Sequence, residues 1–211
     1  MRIDIVYDFR YNFTSDDYEG RGLGGTETYI VLAARQLKVL GHEVRVYNSI
    51  NGTHIGNDNI PWYPLEQFPY EENRDLLILM RTMSPIAAQA RAERKIIVTL
   101  SRHNDGLKSW MQEVGVSMVV TISQYQADLL CDSQFIDASR ILVSSAGVDY
   151  QAYHSNQAKI PGRCIYCSVP YRGLEYLLDL WPQIKHRVPW ATLDITSSYI
   201  PWGKDSDENE R

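Results

Sequence analysis

The chain has 211 residues, of which 44% are hydrophobic and 22% are charged, and its formal net charge is −5. This composition is typical of a folded globular protein, and the mild negative charge argues against a nucleic-acid partner bound through its phosphates. No stretch approaches the roughly 18 apolar residues of a membrane helix, and three cysteines do not make a disulfide framework, so we predict a cytoplasmic protein.

Short apolar runs rich in β-branched residues alternate with helical patterns along the chain. The runs predict strands at residues 2–7, 43–48, 75–80, 95–100, 117–122, 140–145, 163–168 and 192–197. Several runs are apolar on both faces, as are the strands of a parallel sheet buried between helix layers. The sequence therefore predicts an α/β protein with a Rossmann-like, doubly wound parallel sheet.

Two segments between these runs have the spacing of amphipathic helices, residues 26–40 and residues 173–186. The segment 49–73 is polar and contains three prolines, so we expect it to be irregular. A polar stretch at 153–163 is the best linker candidate. We predict one domain at residues 1–155, followed at 156–211 by the first βαβ unit of a second domain that these residues leave incomplete.

Four glycines surround the start of the first predicted helix, where bare backbone N–H groups can approach an anionic ligand. Gly20-x-Gly22-x-x-Gly25 satisfies the letters of the dinucleotide-binding pattern. A long polar segment separates it from the first strand, however, and the second strand ends in Tyr47 and Asn48 instead of an acidic residue. An NAD enzyme is therefore a poor fit, and a P-loop is excluded because no Gly-Lys-Ser/Thr follows.

Glu27 opens the same helix and has two alternative roles. A carboxylate in the first turn stabilises the helix dipole, or it holds a hydroxyl group of a sugar or of an acceptor. Cys164 and Cys167 form a C-x-x-C pattern, but residues three apart in a strand point to opposite faces and a second ligand pair is missing. We therefore predict no metal site.

Several segments, in the right order, resemble the retaining GT-B glycosyltransferases of family four. "GLGGTETYIVLAARQLKVLGHEVRVY" is similar to the family's N-terminal Gly-Gly-x-Glu loop, first helix and second strand. "VVTISQYQADLL" and "ILVSSAGVDYQAY" resemble later parts of its first domain, and "YCSVPYRGLEYLLDLWPQIKHRVPWATLDI" resembles the first βαβ unit of its second domain. The expected fold is thus a GT-B N-terminal domain and the beginning of its C-terminal partner.

The resemblance implies an enzyme that transfers a sugar, with retention of configuration, from a UDP- or GDP-sugar to a glycan, lipid-linked or protein-linked acceptor. It implies no further cofactor and no metal. Gly24 and Gly25 would approach the donor, Arg172 would clamp its diphosphate, and His103 would face the donor sugar with Glu27 as a second catalytic candidate. "RHNDG" around His103 is also ordinary turn composition. Lipid-linked acceptors leave peripheral membrane contact open, and the rest of a larger polypeptide, of which this chain would be a part, is a further candidate partner.

The sequence also departs from the family pattern. Ser145 and Ala146 replace the Pro-Asn before "GVD". Arg172 stands where the family usually has Lys, and neither Cys167 nor Ser168 supplies the Arg that usually accompanies that Lys. The family's Glu-x7-Glu motif does not occur in the second part of the chain. The alternative function is a non-catalytic, transferase-like module that binds a glycan or a partner, for which 14 tyrosines and 5 tryptophans offer stacking surfaces.

Overall fold

The structure is a computed structural model that describes residues 1–20, 22–101, 104–154 and 156–196. The chain forms two compact units, Met1–Val148 and Asp149–Arg211. The domain boundary predicted after residue 155 lies inside the second unit. Each unit is described by itself below.

The first unit contains eight strands and four helices in the described ranges. The strands are β1 (Arg2–Val6), β2 (Glu43–Asn48), β3 (His54–Ile55), β4 (Pro61–Pro64), β5 (Arg74–Met80), β6 (Ala92–Val98), β7 (Met118–Thr121) and β8 (Ile141–Val143). The helices are α1 (Gly25–Val39), α2 (Ile86–Gln89), α3 (Leu107–Val114) and α4 (Gln124–Gln134). Short 3-10 turns occupy Ser15–Tyr18, Leu65–Gln67 and Ala138–Arg140.

All eight strands form one sheet in the order β3-β4-β2-β1-β5-β6-β7-β8. Every neighbouring pair is parallel except β3 with β4, which is antiparallel. The central strand β1 pairs on both sides, since Ile3 lies opposite Val44 of β2 and Leu76 of β5. The predicted α/β fold with a parallel sheet is therefore confirmed.

Both faces of this sheet are buried. On one face, Ile3, Ile5 and Tyr7 pack in one hydrophobic cluster with Ile30 and Val31 of α1. On the other face a second cluster joins Val6, Leu77 and Leu79 to Leu107 and Met111 of α3. Because helices cover the two faces, the strands read as continuous apolar runs, and the fold is doubly wound as predicted.

The segment 49–73 is more ordered than the sequence indicates, because it contributes β3 and β4 to the sheet. Trp62 is fully buried and its ring meets the ring of Phe13 edge-on, with a centroid distance of 5.3 Å. Pro61 and Pro64 stand at the two ends of β4, where a missing N–H donor disturbs the ladder least. A short strand bounded by prolines gives almost no periodic signal, so the prediction of an irregular segment was wrong here.

The second unit contains a short helix α5 (Tyr150–Tyr153) and then β9 (Arg163–Tyr166), α6 (Leu174–Arg187) and β10 (Thr192–Ile195). Strands β9 and β10 pair in parallel with Leu193 opposite Cys164, and α6 forms the crossover between them. This is a βαβ unit. Cys164 and Cys167 are both exposed, so they do not belong to a core.

Candidate functional site

The strand order places a candidate site at the carboxyl ends of β1 and β5. From β1 the chain passes to β2 and β4 on one side, and it then returns to β5 on the other side of β1. In open α/β sheets such a switch point leaves a crevice outside the carboxyl ends of the strands, where ligands bind. The residues that follow β1 and β5, together with the start of α1, therefore define the region to examine.

The start of α1 has an exposed glycine, Gly25, after a buried one, Gly24. Gly24 is the N-cap residue in an extended conformation, and no side chain caps the helix. A Cβ atom placed on Gly25 would meet no atom within 4 Å. Because the first N–H groups of a helix have no partner inside it, this end of α1 can donate hydrogen bonds to a ligand that approaches Gly25.

Glu27 lies in the first turn of α1 and is 7% exposed. Its Oε1 accepts a hydrogen bond from the hydroxyl of Tyr7 at 2.7 Å. Within the described part of the chain, no other side chain donates to this carboxylate. An ionised carboxylate is purely an acceptor, so its second oxygen, Oε2, suits a ligand that donates a hydrogen bond, such as a sugar hydroxyl.

Tyr7 follows the last residue of β1 and is fully buried. Burial raises the pKa of the Tyr7 hydroxyl, the negative charge of Glu27 raises it further, and Arg81 opposes the rise. The hydroxyl therefore stays protonated at neutral pH and remains a donor to Glu27. This arrangement resembles the supporting hydrogen bond that fixes a functional carboxylate in one orientation.

Arg81 directly follows β5 and adopts a left-handed backbone conformation with φ of 66°. Such a conformation is unfavourable for a residue with a side chain. The backbone N–H of Arg81 donates to the carbonyl oxygen of Val98 at 2.8 Å, and its guanidinium lies 5.2 Å from the centre of the Phe9 ring. The strained residue places an exposed positive charge at the switch point, and strain of this kind concentrates at functional sites.

A second carboxylate connects the same two strands. Ser84, which is 2% exposed, donates from its hydroxyl to Oδ2 of Asp8 at 2.7 Å. Asp8 follows β1 and Ser84 follows β5, so this hydrogen bond ties together the two loops that border the crevice. The site therefore contains the carboxylate of Glu27 at the start of α1, the carboxylate of Asp8 after β1 and the guanidinium of Arg81 after β5.

A buried network of polar side chains supports the ends of β6 and β7. The hydroxyl of Thr99 donates to Oδ1 of Asn104 at 2.8 Å, and the amide of Asn104 donates to the carbonyl oxygen of Ser101 at 2.8 Å. From α4, the amide of Gln126 donates to the same carbonyl oxygen at 2.8 Å and accepts from the backbone N–H of Ile122 at 3.1 Å. This network fixes the described residues on both sides of positions 102 and 103.

An open, mainly apolar cavity of about 290 Å³ lies beside that network. Leu100, Ile122, Tyr125 and Leu129 supply its walls, and Tyr125 is 62% exposed. The cavity lies at the carboxyl ends of β6 and β7.

The structure brings together three of the five residues predicted from the sequence. Gly24, Gly25 and Glu27 lie at one helix start beside the switch point. Arg172 is exposed and directly precedes Gly173, the N-cap residue of α6, in the second unit. His103 lies outside the described residues.

Sequence reasoning missed Tyr7, Asp8, Arg81 and Gln126. Tyr7 is the last residue of a predicted strand, and Asp8 and Arg81 directly follow predicted strands. This position was the available signal, because the carboxyl ends of parallel strands meet at one edge of the sheet. Gln126 gave no such signal, since a glutamine in an amphipathic helix usually faces solvent. Its burial follows from the packing of α4 against the loop after β6.

No group of three or more His, Cys, Asp or Glu residues is placed to hold a metal ion in the ranges that the structure describes. None of the helices in those ranges combines the length and the apolar character needed to cross a membrane.

No protein-family model matches the chain, and a search of curated proteins gives no significant match. Among solved structures, the chain is similar to a glycosyltransferase from Rickettsia africae ESF-5, with a TM-score of 0.57 and 14% sequence identity. The similarity covers 94% of this chain and 60% of that chain, so this chain spans less than two thirds of the length of its structural neighbour. At this identity, the similarity establishes a shared α/β fold.

Proposed function

We propose that this chain is a glycosyltransferase, or the N-terminal part of one, of the retaining GT-B type. It takes a sugar from a UDP- or GDP-sugar and transfers it to a glycan, lipid-linked or protein-linked acceptor. The observation that carries the proposal is the buried carboxylate of Glu27 beside the uncapped, glycine-lined start of α1. The fold shared with a glycosyltransferase supports it.

In this proposal each group has a separate chemical task. The N–H groups at the start of α1 stabilise negative charge on the donor, because the helix dipole and the unpaired donors point toward it. Glu27 accepts a hydrogen bond from a hydroxyl group of the sugar or of the acceptor. Arg172 pairs with the diphosphate, and His103 holds the donor sugar. The enzyme would work in the cytoplasm with no metal ion.

The test is sugar transfer from a panel of radiolabelled UDP- and GDP-sugars to a mixture of oligosaccharide and lipid-linked acceptors. We expect label in the acceptor fraction, with the anomeric configuration of the donor retained in the NMR spectrum of the product. Glu27→Gln keeps the shape of the side chain but removes its charge, and it should lower the rate by about 100-fold, as the loss of a group that acts on the reacting substrate does.

Glu113→Gln is the matched control, because Glu113 is exposed on α3 and the change removes the same charge. Its transfer rate should equal that of the wild type. Binding of a sugar without any transfer would favour the non-catalytic module instead. Equal rates for Glu27→Gln and the wild type would remove Glu27 from the site.

A further inference from the structure

Tyr7 occupies a position that packing alone would give to an apolar residue. Ile3, Ile5 and Tyr7 share one face of the β1 segment and enter the same hydrophobic cluster. The first two are aliphatic, and the third, which is the one at the carboxyl end of the strand, brings a hydroxyl into the core. Burying a hydroxyl is unfavourable unless it is hydrogen-bonded. The hydrogen-bond partner of this hydroxyl therefore explains why a tyrosine occupies the position.

That partner is Glu27, at 2.7 Å. The tyrosine ring is held from two sides, because it stacks on Phe9 and meets Phe13 edge-on, both with centroid distances of 5.8 Å. A ring fixed in this way has one position for its hydroxyl. It therefore offers Glu27 a donor at a fixed point instead of a mobile one.

We propose that Tyr7 is a positioning residue, which binds Oε1 of Glu27 so that Oε2 is presented to a hydroxyl group of the bound sugar or acceptor. This inference rests on the proposed transferase function. Tyr7 itself needs no contact with the substrate, because its effect passes through the carboxylate. A Glu27 without this donor would still lie in the first turn of α1, but its side chain would be free to rotate.

The geometry separates this role from stabilisation of the helix. A glutamate can stabilise the helix dipole from the surface, where its charge stays hydrated, so that role does not require burial. Glu27 is 7% exposed and has a neutral hydroxyl as its partner instead of a cation. Such a carboxylate keeps its acceptor capacity for a ligand, since no salt bridge occupies it within the described residues.

Arg81 contributes a positive charge near the hydroxyl of Tyr7. Its charge lies near enough to Tyr7 to lower the pKa of the hydroxyl, against the larger effects of burial and of Glu27. The guanidinium of Arg81 lies 5.2 Å from the centre of the Phe9 ring, which itself stacks on the ring of Tyr7. Tyr7 connects the central strand, the first helix and the loop after β5 at one point.

The experiment is a double-mutant cycle on sugar transfer with Tyr7→Phe, Glu27→Gln and the double variant. We expect Tyr7→Phe to lower kcat by about tenfold, the effect of one net hydrogen bond, with KM changed by less than about twofold. In the Glu27→Gln background, Tyr7→Phe should change kcat by less than about twofold, because residues that act as a unit are not additive.

Tyr47→Phe is the matched control. Tyr47 is 1% exposed at the end of β2, and it packs on Tyr63 and Phe68 instead of meeting Glu27. It should keep the wild-type kcat, and circular dichroism should show all variants folded. The change from Tyr to Phe preserves the ring, so the comparison isolates the hydroxyl.

Two results would overturn the positioning role of Tyr7 but leave the proposed function intact. One is an unchanged kcat in Tyr7→Phe, and the other is an equal fall in kcat whether or not the Glu27 carboxylate is present. A wild-type protein that transfers no sugar from any donor gives a different result. That outcome would overturn the proposed function, and the positioning role with it.

Discussion

At the scale of single residues, the sheet contains charges as well as apolar side chains. Asp4 lies in β1 with no exposed surface, and its carboxylate accepts from Nε of Arg74 at 2.6 Å and from Nε of Arg45 at 2.7 Å. The side chain of Arg74 is also fully buried, and its guanidinium lies 4.4 Å from the centre of the Phe68 ring. A buried charge of this kind is tolerated because every partner is present.

This cluster predicts a strong effect of Arg74→Met on stability. The substitution keeps an unbranched side chain but leaves Asp4 with less compensation, and breaking a buried pair costs about 3–5 kcal/mol. Urea unfolding should show that loss in the free energy of unfolding. Arg91→Met is the control, since Arg91 pairs with Glu71 at the surface and such pairs contribute at most about 1 kcal/mol. Similar losses in the two variants would contradict the argument.

At the scale of elements, two helices of the same unit begin differently. In α4 the hydroxyl of Ser123 accepts from the backbone N–H of Gln126, which satisfies a donor of the first turn. In α1 the N-cap residue is Gly24 and no side chain takes that role. A glycine at this point provides no capping hydrogen bond from a side chain, but it lets a ligand come close to the backbone.

The difference predicts the outcome of Gly25→Ala. The added methyl group meets no atom within 4 Å, and the residue is helical, so the free energy of unfolding should stay the same or rise by up to about 1 kcal/mol. Sugar transfer should fall, because the methyl group occupies space beside the N–H groups of α1. Transfer assays and urea unfolding on the same preparations measure both effects.

Gly147→Ala serves as the comparison. It adds the same methyl group where no atom lies within 4 Å, in the segment after β8, four strands from β1. If Gly25→Ala transfers sugar at the wild-type rate, the lack of a side chain at position 25 is not needed for a ligand.

At the scale of the whole molecule, the first unit contains a complete hydrophobic core of its own. Both hydrophobic clusters consist of residues from Met1–Val148, and so does the complete eight-stranded sheet. A length of this order is sufficient for an independently stable domain. The stability of the sheet should therefore depend on the first unit alone.

A protein that ends after Val148 should accordingly fold. We expect a single cooperative urea transition followed by circular dichroism, with coincident transitions in tryptophan fluorescence. The intact chain is the reference. A gradual transition in the shortened protein would show that the second unit is needed for the fold of the first.

The sequence by itself determined the class of fold and much of its content. The eight predicted strands all occur, and those in the centre of the large sheet were readable because strands buried on both faces must be apolar along their whole length. The start of α1 was also readable, since a glycine cluster before an amphipathic pattern has a local cause. Gly24, Gly25 and Glu27 therefore lie at the start of a helix, as the sequence indicated, and their roles stay predictions.

The tertiary structure decided what joins these elements. The strand order put the switch point at β1 and β5, and it thereby brought Tyr7 to Glu27, 20 positions away, and Ser84 to Asp8, 76 positions away. It also paired β4 with β2, although the prolines of β4 gave no strand signal. A local pattern reports which surface a segment must bury, whereas hydrogen bonds between distant side chains depend on the order in which the buried surfaces pack.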